Sequence, residues 1–277
     1  MTIGVRAHDF GSGDFAYFEN VIQKIAAVGY QSLQLAPAKS ITAIGGMENL
    51  NEEHLVRIKD ILQKHQITVS VLGCYLDFTA ADEGVRNNNV ALFKRYVKYA
   101  KFLDAKMIAT ETSYGTITDE HREEAMGYVV EAFREIMPVA EEEGVLVAIE
   151  PVASHALNTP ELTRDLLETI DSKNFKILYD QTNLLTPETV NHDAAMFERA
   201  KKYLGEDVIA LHIKNFVVNN NEKQMVALDS GVVNIPAILQ WAAGFTSDGK
   251  RSVEIIREDS TDANMKADLE FIKRFIG

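Results

Sequence analysis

A chain of 277 residues with 46% hydrophobic and 25% charged side chains carries enough apolar material for one large globular domain, and nothing in it suggests disorder. Its formal net charge of −13, without a segregated run of Lys and Arg, argues against nucleic-acid binding, because such a surface repels phosphate backbones. The single cysteine, Cys74, rules out an intrachain disulfide and argues against a cysteine-built zinc site, and no apolar stretch approaches the roughly 18 residues of a membrane helix. The first residues lack the basic and apolar segments of a signal peptide, so a cytoplasmic location is expected.

Short apolar runs alternate with longer amphipathic ones along the chain. Strands are expected at Ile3–Ala7, Ser32–Ala36, Thr68–Gly73, Lys106–Thr110, Val145–Pro151, Phe175–Asp180, Val208–Lys214 and Ser252–Arg257. Most are rich in Val, Ile and Leu without polar alternation, as strands covered on both faces should be. Between them, Phe18, Val21, Ile22 and Ile25 share one helical face, with Gly29 as the stop. A second helical pattern runs from about Asn89 to Leu103. Thr159-Pro160-Glu161 and Thr186-Pro187-Glu188 read as helix N-caps followed by Pro and an acid. The polar run Asn219–Lys223 reads as an exposed turn in a longer loop, and Met265, Leu269, Ile272 and Ile276 form the stripe of a last helix.

Eight strand-then-helix units over 277 residues, about 35 residues each, predict an α/β fold: one (β/α)8 TIM barrel spanning residues 1–277 as a single domain. The rival is an open doubly wound sheet, which often carries a Gly-rich phosphate loop after its first strand. The segment Ala7–Gly13 has neither the Rossmann nor the P-loop spacing.

In a closed barrel the chemistry sits at the C-terminal ends of the strands. Four consecutive strands carry a candidate ligand there or near it: Glu150, Asp180, His212 and Glu254. A carboxylate after five apolar residues, as at Glu150, is costly to bury without a partner. Three carboxylates and one imidazole suit one divalent ion, Mn2+ or Mg2+ in preference, with Zn2+ or Co2+ also compatible. Glu254, Ile256 and Glu258 share one strand face, which leaves Glu258 as the alternative to Glu254.

The sequence resembles the sugar phosphate isomerase/epimerase proteins of the xylose-isomerase-like barrel superfamily. Gly29-Tyr30, Ile149-Glu150, Tyr179–Leu185, Leu211–Phe216, Gly231 with Asn234-Ile235-Pro236, and Ser252-Val253-Glu254 carry the resemblance. It implies Glu150, Asp180, His212 and Glu254 as metal ligands, with Glu150 and Glu254 doubling as the acid/base pair. The implied chemistry is isomerisation or epimerisation of a small sugar, sugar acid or polyol through an enediolate next to a chelated carbonyl. An inosose-type hydro-lyase on the same site and a sugar-binding protein without turnover are the alternatives. An abasic-site nuclease is disfavoured, because the extra metal-binding histidines are missing. Gln34, Asn183 and Asn215 depart from the usual Glu, His and Asp.

His8, His155, Lys214 and Arg257 are candidate substrate-binding residues, and Glu111 ends the fourth strand. The expected partner is a small sugar-like molecule. A homodimer and a homotetramer are the assemblies left open.

Overall fold

A computed structural model describes residues 1–247 and 252–276. Eight parallel strands close into a barrel: β1 (Thr2–Arg6), β2 (Ser32–Leu35), β3 (Thr68–Gly73), β4 (Met107–Thr110), β5 (Leu146–Ile149), β6 (Phe175–Tyr179), β7 (Val208–Ile213) and, last in the chain, β10 (Glu254–Arg257). Each coincides with a strand expected from the sequence: β3 has the expected bounds, β1 is shifted by one residue, and the others are one or two residues shorter at one or both ends. Closure comes from β10, which pairs with β7 on one side and β1 on the other.

The apolar side chains divide into two bodies. Val71, Met107, Ala109, Ala148, Leu178, Ala210 and Ile256 belong to a small cluster that plugs the barrel interior, so the interior is a packed floor rather than a channel. The larger cluster lies between the strands and the helices around them, including Phe18, Ile22, Ile25, Leu33, Val97, Phe133 and Leu269. Phe18, Val21, Ile22 and Ile25 are all buried by the helix Phe15–Val28, and Gly29 ends it at φ 103°, where a β-carbon would be strained. The second helix runs Glu83–Phe102, starting earlier than its apolar pattern because Asp82 caps it through Val85 N. Thr159 caps the helix Pro160–Ile170 as expected.

Two expectations are corrected here. Thr186-Pro187-Glu188 does not start an α-helix: it forms a turn, and the helix that follows begins at Asp193. Thr186 and Thr189 bond each other's backbone, so local turn chemistry absorbs the cap signal. The segment after β7 is a hairpin, β8 (Asn215–Asn219) with β9 (Glu222–Val226), where an irregular loop with an exposed turn was expected. Its turn is Asn220-Asn221, both at positive φ, the backbone a two-residue hairpin turn of the right twist requires. No described helix is long and apolar enough to cross a membrane.

Arg257 also changes role. It was a candidate for substrate binding, yet its fully buried guanidinium faces away from the barrel interior and donates from Nε to Asp268 Oδ2 at 2.8 Å, on the helix Met265–Ile276. Neighbouring residues of a strand point to opposite faces, so with Ile256 in the interior Arg257 must face the helices. Removing one member of a buried ion pair leaves an uncompensated charge. Asp268→Ala should therefore lower stability by about 3 kcal/mol in urea unfolding. A loss below about 1 kcal/mol would show that the pair is not structural.

Candidate metal centre

The C-terminal mouth of the barrel collects charged groups from most of its strands. Glu150 follows β5 and is anchored by its own N–H to Thr110 O at 2.9 Å. Asp180 follows β6 and caps the short helix Gln181–Leu184, Oδ1 accepting from Asn183 N at 3.1 Å. His212 lies near the end of β7, Glu258 one residue beyond β10, and Arg6 at the end of β1. Glu150, Asp180, His212 and Glu258 are each at most 4% exposed.

One ligand atom from each of Glu150, Asp180 and His212 lies within 4.8 Å of the others. His212 Nδ1 is 3.3 Å from Glu150 Oε2 and 3.7 Å from Asp180 Oδ2. His212 Nδ1 is buried without a hydrogen-bond partner, and Asp180 Oδ2, 3.7 Å from it, meets Lys214 Nζ at 2.8 Å. Buried polar atoms are normally paired, so an orphaned imidazole nitrogen facing two carboxylates fits a bound cation. Two carboxylate oxygens and an imidazole nitrogen are a donor set for a single divalent ion.

Glu254 does not join this group. Its Oε2 accepts from Ser70 Oγ at 2.6 Å and its Oε1 from Thr2 Oγ1 at 3.4 Å, deep in the barrel. The register explains it: Ile256 pairs with His212 and Glu254 with Ala210, two residues, roughly 6.6 Å, further from the mouth. Ser70 reaches it because the β2–β3 register shifts there, leaving Ser70 unpaired between Val69 and Val71. Glu258, the alternative on the same face, is the strand-eight carboxylate at the mouth.

Lys214 bridges the carboxylates, its Nζ 2.8 Å from Asp180 Oδ2 and 2.6 Å from Glu258 Oε2. Arg6 adds a second cation to Glu258 at 2.8 Å and also binds Asp9 and Asp259. Burial alone would push the Glu258 carboxyl up, but His212, Lys214 and Arg6 hold it well below the usual range. Burial lowers the His212 imidazole, and Glu258, Glu150 and Asp180 outweigh that and hold it up to about 10. Glu111 has no such cation beside it; burial, then Glu150 and Glu258, push it up to about 8.

A cavity of about 220 Å³ opens here, whose wall includes Arg6, His8, Gln34, Lys39, Tyr75, Glu111, Tyr114, Glu150, Asn183, Lys214 and Glu258. Among the substrate candidates, His8 and Lys214 lie on that wall. His155 stands behind it, with Nδ1 3.5 Å from Glu111 Oε2. Arg257 is absent from it. Arg6, Tyr75 and Lys39 went unnoticed in the sequence; an Arg closing a strand was the available signal for Arg6, and neither of the others sits in a pattern that marks it.

The three departures are each satisfied. Gln34 Oε1 lies 2.6 Å from His212 Nε2, and Asn183 Nδ2 donates to Glu150 Oε1 at 2.6 Å. Asn215 donates to Leu228 O and Val233 O and accepts from Val233 N, tying down the loop before the helix Ile235–Ser247. Gly231 packs so closely on Asn215 that a β-carbon there would collide with the amide. The β8–β9 hairpin is tied to the segment after β6 by Lys223 Nζ, which donates to Thr182 O at 2.6 Å.

Residues 22–275 match the family described as the xylose isomerase-like TIM barrel. The chain belongs to that family. Among solved structures, D-psicose 3-epimerase from Clostridium cellulolyticum H10, with D-tagatose, is 18% identical at a TM-score of 0.73, covering 100% of this chain and 99% of that one. A xylose isomerase-like TIM barrel protein from Mycobacterium smegmatis, in complex with magnesium, is 14% identical at a TM-score of 0.77, covering 99% and 96%. The IOLI protein with a binding zinc atom is 16% identical at 0.73, covering 100% and 98%. No curated protein sequence matches the chain. At these identities the xylose isomerase-like likeness is one of fold, and the ligand assignment rests on the geometry above.

Burial, then the charges of Arg6 and Lys39, push the His8 imidazole down to about 4 from 6.5. The unfolded chain therefore holds the extra proton between those values, and this contribution to stability is lost as pH falls from about 6.5 to about 4. Across that window His8→Asn should flatten the fall of the urea midpoint relative to wild type. Parallel curves for the two proteins would mean that His8 carries its proton in the fold.

Proposed function

We propose that this chain is a divalent-metal-dependent isomerase or epimerase of a small sugar, sugar acid or polyol. The observation that carries the reading is the convergence of Glu150, Asp180 and His212, with the His212 Nδ1 that faces the two carboxylates buried and unpartnered. Glu150, Asp180 and His212 would hold the ion, for which Mn2+ or Mg2+ fits the carboxylates best and Zn2+ or Co2+ is compatible. Magnesium and zinc in two of the structural neighbours, and the epimerase named in a third, support the same reading.

A divalent ion there supplies a Lewis acid that polarises a carbonyl and stabilises charge developing on its oxygen. The protein does the rest. Glu150 and Glu258 are the two carboxylates on the cavity wall next to that position. One takes the proton from the carbon beside the carbonyl, and the C–H electron pair passes into the enediolate of the substrate. The other returns a proton, to the opposite face of that carbon for epimerisation or to its neighbour for isomerisation. Lys214 and Arg6 keep Glu258 ionised and in place, and Asn183 fixes Glu150 by its amide. The packed floor closes the site from beneath.

The test is a panel of ketoses, sugar acids and inososes in D2O with added Mn2+, followed by NMR. One Mn2+ per chain and solvent deuterium at the carbon next to a carbonyl are expected for at least one compound. Glu150→Gln and Glu258→Gln should each slow exchange by roughly 100-fold or more. Glu254→Gln should retain exchange in the folded protein. Exchange that survives Glu258→Gln and vanishes in Glu254→Gln would overturn the assignment of the second carboxylate. Metal-loaded protein that exchanges no proton in any compound would leave sugar binding without turnover.

A further inference from the structure

The residues linking His212 to the cavity form a hydrogen-bond chain, and the metal site fixes its direction. To present a bare Nδ1 to an ion, His212 must carry its ring proton on Nε2. Gln34 Oε1 lies 2.6 Å from that nitrogen and so accepts from it. Glu258 Oε1 is further away, at 3.6 Å, and already receives Arg6. A side-chain amide whose oxygen is engaged offers its NH2 on the other side, and Gln34 Nε2 donates to the Tyr75 hydroxyl at 2.6 Å. Tyr75 oxygen is therefore an acceptor. Its own hydrogen makes no bond among the described residues, and the ring lies on the cavity wall beside Gln34 and Glu150.

We propose that Tyr75 donates this hydrogen to an oxygen of the substrate in the cavity, and that Gln34 makes it available. The proposal rests on the metal-site reading above. A carboxylate at position 34 would accept from His212 and from Tyr75 at once, turning the Tyr75 hydrogen away from the cavity. The neutral amide can accept only on one side and must donate on the other, so it passes the polarity of the His212 ring on to the substrate. Gln34 is thus a positioning residue, acting on the metal through His212 and on the substrate through Tyr75. The backbone of Tyr75 is held for this by Tyr114, whose hydroxyl donates to Tyr75 O at 2.6 Å. Lys39 Nζ sits 4.8 Å above the ring.

Calorimetry with two probes tests it: Mn2+ alone, then D-erythronohydroxamate, whose hydroxamate chelates a divalent ion and whose hydroxyls extend along the cavity. Tyr75→Phe should bind Mn2+ within about threefold of wild type and the hydroxamate roughly fivefold to tenfold more weakly, the effect of one lost hydrogen bond. Gln34→Glu should bind Mn2+ at least as tightly as wild type and yet lose the hydroxamate to the same extent as Tyr75→Phe. The double variant should lose no more than either single one, as expected of residues acting through one bond. Gln34→Leu should lose roughly 10- to 100-fold in Mn2+ affinity. If Mn2+ binds wild type and Tyr75→Phe holds the hydroxamate as tightly, or if the single losses add, the proposal falls and the metal site stands. If wild type takes up no Mn2+, the functional reading itself fails, and this inference with it.

Discussion

Several carboxylates buried at one end of a barrel repel each other and lose their hydration, so they persist only with positive charge among them. Everything at the mouth follows from that requirement. Lys214 lies between Asp180 and Glu258, and Arg6 grips Glu258 from the far side. Those two cations compensate Glu258 and one side of Asp180. Among the described residues no Lys or Arg reaches Glu150, and the His212 Nδ1 3.3 Å from it is unpartnered. The protein thus neutralises part of its acidic mouth from its own side chains, and the space between Glu150, Asp180 and His212 has the ligand chemistry of one divalent ion.

The same balance separates the carboxylates by role. Glu258 is held ionised by His212, Lys214 and Arg6. Glu150 is held by an amide, Asn183, that leaves its charge uncompensated and one oxygen turned to His212. Glu111, with no Lys or Arg in contact among the described residues, is pushed up by burial and by its acidic neighbours, the opposite direction to Glu258. Three acids within one cavity are therefore not equivalent, and the difference comes from which neighbours each strand delivers.

Gln34, Asn183 and Asn215 show how neutral amides maintain such a site. Each has both a donor and an acceptor, and each is used on at least one side to fix a neighbour: His212, Glu150 or the loop from Leu228 to Val233. Charged residues in their places would add to an already crowded set of acids and would change the direction of the hydrogen bonds. The mouth can stay buried because its uncharged members orient the charged ones without adding charge.

Period and composition were enough to read the barrel, since eight buried apolar runs separated by amphipathic helices leave few ways to bury both faces of each strand. Glu150, Asp180 and His212 were legible for a related reason: each closes or nearly closes an apolar run where a charge has no other cause. Depth along the strand was not legible. Glu254, Ile256 and Glu258 share a face at period two, and only pairing of Ile256 with His212 decides that Glu258 reaches the mouth while Glu254 meets Ser70 below. Arg257 is the exception that alternation did settle, once Ile256 was known to face inward. Tyr75 and Arg6 depend on contacts between segments tens to hundreds of residues apart. The sequence thus determined which face of each strand is buried, a local property of the backbone. Tertiary structure alone decided which residues stand level with one another, because register is fixed by neighbouring strands and not by the strand itself.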